Sequence, residues 1–135
     1  MKSSDYILYS LLLFTIVSCG RIEVDQVGRS SFYIRNETLE TIYYSCQVRP
    51  EYTGPCNKQS PVNPNCEAIL IYGLEGIIGM HLRPEDVFTS IVFCHNEMLT
   101  DTFYVHYPVD HSLWEYEIQD GYTFWENTHY ILTIR

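Results

Sequence analysis

Hydrophobic and polar residues alternate along several short stretches of this chain. That two-residue period is the mark of a strand with one buried face. Ser31-Phe-Tyr-Ile-Arg-Asn36 places Phe32 and Ile34 on one side. Thr41–Val48 places Ile42, Tyr44, Cys46 and Val48 together, and Asn36-Glu-Thr-Leu-Glu40 between them reads as a turn. The first two strands are therefore expected to form a hairpin. Glu67–Tyr72 is apolar on both faces and is expected to be a central strand. Val87–Cys94, Asp101–Tyr107 (stopped by Pro108) and Thr128–Ile134 supply three more. Residues 49–65 hold Pro50, Gly54, Pro55, Pro61 and Pro64, too many prolines for a central strand, so a long loop is expected. Met80–Asp86 reads as a turn, and the glycine-rich apolar stretch 73–79 receives no element. Asp110 is placed to cap a short helix over His111–Ile118. Six or so strands with turns between them predict an all-β fold. The expected form is an antiparallel β-sandwich, immunoglobulin-like or similar, with at most one short helix after an N-terminal signal helix.

The longest apolar run, Tyr6–Val17, follows a different rule. A spanning helix needs about 20 apolar residues; this run fits the apolar region of a secretion signal, behind the basic Lys2. It ends in Ile16-Val17-Ser18-Cys19, which resembles the lipobox of bacterial lipoproteins. Ser18 is small enough for a tight peptidase subsite. Cys19 supplies the thiolate that takes a diacylglyceryl group, and its freed amine can take a further acyl chain such as palmitate. Two or more chains give stable anchoring where one is marginal. Residues 1–18 are therefore expected to be a lipoprotein signal peptide, and Cys19 the lipid attachment site. Residues 19–30 are expected to be a flexible tether, and residues 31–135 a single β-sandwich domain.

Composition and charge narrow the partners. The 135 residues are rich in Tyr, which together with Ile, Val, Thr and Phe favours strands. Eight basic and seventeen acidic residues give a net charge of -9. Removing the leader takes Lys2 and Asp5, one from each count, and leaves -9. Nucleic acid is excluded as a partner by that balance, because binding to it leans on Lys and Arg. Electrostatic adhesion to anionic lipid is disfavoured for the same reason. The expected membrane contact is through lipid on Cys19.

After Cys19, four cysteines remain: Cys46, Cys56, Cys66 and Cys94. An even number in an exported domain points to disulfides, and four allow three pairings. Cys46 and Cys94 lie on strand candidates, while Cys56 and Cys66 bracket the turn-rich 57–65. The expected pairing is Cys46 with Cys94, and Cys56 with Cys66. The intervals of ten and the lack of CxxC do not match clustered zinc ligands. Cys94 and His95 are neighbours on a strand and point to opposite faces, which disfavours a catalytic pair.

No catalytic residue and no metal or cofactor site is expected. The five histidines form no HxH or HExxH, although His106 and His111 flank Pro108 and lie close in sequence. Glu115 and Glu117 would share a face only if their segment were a strand. Aromatics are the stronger signal. Trp114, Tyr116, Tyr122 and Trp125 crowd a short acidic stretch and are candidate ligand-binding residues. Such rings either fill a sandwich core or, when exposed beside carboxylates, stack on sugars or anchor a protein interface.

Phe32-Tyr-Ile-Arg-Asn-Glu-Thr38, Thr41-Ile-Tyr-Tyr44, Asp101-Thr-Phe103, Trp114 and the closing Tyr130-Ile-Leu-Thr133 together resemble small lipoproteins of Bacteroides-type bacteria. The resemblance implies an all-β exported domain at the cell envelope, with the outer membrane as its location, and no known activity. The long cysteine-bearing loop departs from that pattern. The expected function is a lipid-anchored, non-enzymatic accessory or interaction module whose partner is an envelope protein or a glycan. A carbohydrate-binding surface lipoprotein and an envelope hydrolase are the alternatives.

Overall fold

The computed structural model describes residues 28–52, 56, 61–76, 81–120 and 126–135. The expected signal peptide, Cys19 and all of the expected tether before Gly28 lie outside the described residues. Within them run seven strands: β1 (Arg29–Asn36), β2 (Tyr43–Val48), β3 (Glu67–Glu75), β4 (Phe88–Cys94), β5 (Thr102–His106), β6 (Trp114–Asp120) and β7 (Glu126–Ile134). One four-residue helix, α1 (Pro84–Val87), leads into β4, and a 310 turn, His111–Leu113, leads into β6. The fold is an all-β sandwich. One sheet has the order β3-β1-β7-β6 and the other β2-β4-β5. Every neighbouring pair is antiparallel except β1 and β7, the first and last strands, which run parallel in register from Arg29↔Asn127 to Asn36↔Ile134. β1 starts at Arg29, so the last two residues of the expected tether belong to the sheet.

The expected hairpin of β1 with β2 does not form, because the two strands lie in different sheets. The reason is local. The fully buried Asn36 makes the corner: its Oδ1 accepts from Thr38 N at 2.9 Å and Thr38 Oγ1 at 2.7 Å. Its Nδ2 donates to Glu40 O at 2.7 Å and Val62 O at 2.8 Å. This side chain ties the end of β1 to its own turn and to the segment that bridges Ile42. The chain therefore crosses to the other sheet instead of doubling back. β3 is likewise an edge strand and not a central one. Its second apolar face, with Ile69 and Tyr72, is exposed.

A short helix over 111–118 is also corrected. Asp110 does cap, its side chain accepting from Ser112 N at 2.9 Å, but only for one 310 turn. Trp-Glu-Tyr-Glu-Ile then alternates as β6, with Trp114 turned inward.

The core is aromatic at its centre. Phe32 stacks on Tyr130 with ring centroids 5.5 Å apart and meets Phe88 edge-on at 5.1 Å. Phe88 in turn stacks on Trp114 at 6.1 Å. Each such ring contributes about 1.5–3 kcal/mol through burial, plus a smaller geometric preference. β1, β6 and β7 supply this cluster from one sheet and β4 supplies it from the other, so it holds the two layers together.

The disulfide joins Cys46 to Cys56, with Cα atoms 6.4 Å apart. This replaces both expected pairings. Cys46 faces Ile91 across the β2–β4 ladder, and Cys94 lies three residues further along β4. That offset is about 10 Å along the strand and falls on the opposite face, beyond the roughly 7 Å a disulfide can bridge. Cys94 is a buried thiol 3.4 Å from Thr102 Oγ1, and Cys66 is an exposed free thiol.

Candidate functional site

Along β6 the core-side face carries Trp114, Tyr116 and Ile118, and burial falls sharply along it. Trp114 is 4% exposed, Tyr116 69% and Ile118 56%. Only the first is covered by the second sheet. The uncovered end forms one wall of a groove of about 580 Å³. On β7, Tyr130 lies opposite Tyr116 and Thr128 opposite Ile118, and both are buried. The Tyr116 and Tyr130 rings sit 6.2 Å apart at 42°, so the buried ring supports the exposed one.

The facing wall is the chain that leads into and through α1: His81, Arg83, Glu85 and Asp86. Each is held by a short-range contact. His81 Nδ1 lies 3.3 Å from Thr128 Oγ1. A Cβ on Gly28 would come within 2.7 Å of the same ring nitrogen, so a side chain at 28 would push the His81 ring from its place. Asp86 Oδ2 accepts from Arg83 N at 2.9 Å, which fixes the first turn of α1. Glu85 Oε1 meets His111 Nδ1 at 2.6 Å, while its Oε2 is buried without a hydrogen bond among the described residues. Burial pushes the Tyr130 phenol above its usual range. Glu85 and Asp86 add to that and Arg83 opposes it. Tyr130 is thus a neutral hydroxyl at ordinary pH. The groove therefore has one aromatic and aliphatic wall and one wall with charges of both signs. Such a surface suits reversible binding of an amphipathic or polyhydroxylated ligand.

Of the expected ligand residues, Tyr116 lines this groove. Trp114 does not: it is core. Its indole Nε1 donates to His106 Nε2 at 3.1 Å, both groups being buried. Tyr122 and Trp125 lie outside the described residues. The Trp114 contact fixes the state of His106. An indole N–H can only donate, so Nε2 must be the unprotonated acceptor. Nδ1 then carries the proton and donates to Tyr104 Oη at 3.3 Å. Burial lowers the His106 pKa, and the nearby Asp110 offsets part of that. His106 and His111 do not meet, because His111 turns to Glu85. Glu115 and Glu117 share the outer face of β6. Glu115 is engaged by Arg35 at 3.4 Å and Arg135 at 3.8 Å in an exposed ion network. Among the described residues no group of three His, Cys, Asp or Glu side chains is arranged to hold a metal ion.

No protein-family model, curated protein or solved structure matches this chain. The site is therefore read from its own geometry. Sequence reasoning missed the charged wall, since Met80–Asp86 carries no motif of any binding class. Only the docking of α1 beside β6 and β7 makes Arg83, Glu85 and Asp86 neighbours of Tyr116.

Proposed function

We propose that this protein is a lipid-anchored, non-enzymatic binding module of a bacterial envelope, and that its ligand sits in the groove beside Tyr116. The observation that carries the binding reading is the uncovered core-side face of β6. A sandwich that leaves Tyr116 and Ile118 open, against a charged wall, keeps apolar surface exposed that folding alone would bury. The anchor rests on Ile16-Val17-Ser18-Cys19. Ten residue steps separate Cys19 from Arg29, a reach of at most about 35 Å. That keeps the domain close to its membrane, facing other envelope components. The non-enzymatic reading is supported by the placement of the groove's carboxylates. Glu85 and Asp86 are neighbours on one wall, not a facing pair, and Glu85 is already committed to His111.

The test is chemical crosslinking in the producing cells, comparing the native chain with Tyr116→Ala, Arg83→Ala and Arg135→Ala, the last on the outer face where its partners are Glu37 and Glu115. A crosslinked partner lost in the first two and kept in the third is the expected result. A partner retained in all three would remove the groove from the account.

A carbohydrate ligand is the second reading, favoured by the exposed Tyr116 ring next to Arg83 and Asp86. Aromatic faces stack on sugar rings, while ionic groups hydrogen-bond hydroxyls. Binding on an array of soluble glycans, abolished in Tyr116→Ala with an unchanged circular dichroism spectrum, would establish it. An array that stays blank would reject it.

A further inference from the structure

The two sheets have four edges: β3 and β6 in one, β2 and β5 in the other. An open edge presents unpaired backbone groups, and proteins usually blunt it with charge, bulges or cover. β3 carries Glu67 and Glu75 and irregular pairing with β1. β6 carries Glu115 and Glu117. β2 is partly covered by the Ile42–Val62 bridge and tied by Cys46–Cys56. β5 has one register shift against β4, between Phe93 and Cys94 at its start, but neither charge nor cover. Thr102–His106 contains no charged acid or base other than the neutral, buried His106, and no proline. Among the described residues its backbone bonds only to β4. Its outer face is apolar, with Phe103 38% and Val105 49% exposed.

We propose that β5 is the docking edge for a second copy of this chain, paired antiparallel about Tyr104. The strand is self-complementary in that register. Thr102 falls opposite His106, and Phe103 opposite Val105, each pair occurring twice. Aromatic and β-branched residues facing each other are among the favourable cross-strand pairs. The arrangement closes by a two-fold axis and joins two three-stranded sheets into one of six. Charge also permits contact at this place. Two copies of a chain bearing -9 repel each other over most of their surface. Between Asp101 and Asp110 there is no acidic residue, so the two copies can meet here without placing carboxylates in contact. His95 stacks on Phe103 at 4.4 Å and holds its ring against the sheet. This inference is independent of what the groove binds.

A five-residue pairing is a small contact, so the affinity expected is roughly micromolar or weaker. The experiment is sedimentation of the full chain in detergent at roughly 100 µM protein, a concentration chosen for that weak range. Val105→Lys is compared with Tyr72→Lys, which places the same charge on the exposed β3 edge. The expected result is a two-copy species for the native chain and for Tyr72→Lys, and a one-copy species for Val105→Lys. A monomeric native chain, or a dimer that survives Val105→Lys, overturns the proposal. A second measurement does not depend on how well the lysine variant folds. Phe103→Cys copies mixed with Val105→Cys copies, both carrying Cys66→Ser, should crosslink on mild oxidation. Absence of that crosslink also overturns it.

Discussion

Acidification is expected to weaken the sandwich through one residue, His106. Its Nε2 accepts the Trp114 indole proton at 3.1 Å in a buried site. A proton on Nε2 would set two N–H donors head to head and leave a cation in the core. The folded state therefore resists protonation, and its pKa lies below the ordinary value of 6.5. Because the folded pKa is depressed, the stabilisation is complete above about pH 6.5. It is lost as pH falls from there toward the folded pKa. Within that window one such group costs about 1.4 kcal/mol per pH unit, as the unfolded chain binds a proton the folded chain refuses. For a domain of this size each kcal/mol is worth a few degrees of melting temperature. The assay is urea unfolding followed by far-UV circular dichroism at about pH 7.5 and about pH 5, on the native chain and on His106→Gln. Glutamine offers a carbonyl to Trp114 and does not titrate. The native chain should lose stability more steeply than the variant. The difference should approach about 1.4 kcal/mol per pH unit below the onset. Equal slopes in the two proteins would refute the neutral-acceptor role of His106.

Other residues have equally direct tests. Asn36→Ala removes four hydrogen bonds at the corner between sheets but leaves the Glu40 and Val62 carbonyls one partner each, Thr38 Oγ1 and Ile42 N. The expected loss is on the order of 2–3 kcal/mol in urea unfolding. Asn36→Asp should cost more, because it points a carboxylate at two carbonyl oxygens. Phe32→Ala vacates the middle of the aromatic cluster and should cost about 3–5 kcal/mol, with loss of near-ultraviolet dichroism. Cys46 and Cys56 close a short loop, so Cys46→Ala with Cys56→Ala should destabilise by about 3 kcal/mol in chain entropy. Alkylation of the denatured, unreduced protein should label Cys66 and Cys94 and spare the bonded pair.

Much of the strand content is legible in the sequence because burial on one face imposes a period of two. Phe32/Ile34 and Ile42/Tyr44 are both read correctly as inward pairs. Which sheet a strand joins is another matter, since alternation is the same in either layer. The choice is made at the corner by Asn36, whose partner Val62 is 26 residues away. β3 reads as central because it is apolar on both faces, yet Ile69 and Tyr72 are left at an edge. The segment after Asp110 offers a genuine N-cap, and only the Trp-Glu-Tyr-Glu-Ile alternation argues for the strand that forms. The disulfide follows from where the fold sets Cys56 beside β2, which spacing does not encode. In the groove, Tyr116 is readable as an aromatic in an acidic stretch. Its neighbours Arg83, Glu85 and Asp86 are thirty or more positions away along the chain, and only tertiary packing brings them together.

The most direct test of the account is the intact mass of the protein extracted from its own membranes. The account predicts a chain that begins at Cys19 and carries the added mass of a diacylglyceryl group and a further acyl chain. A chain that still begins at Met1, or an unmodified Cys19, would contradict the anchored module proposed here.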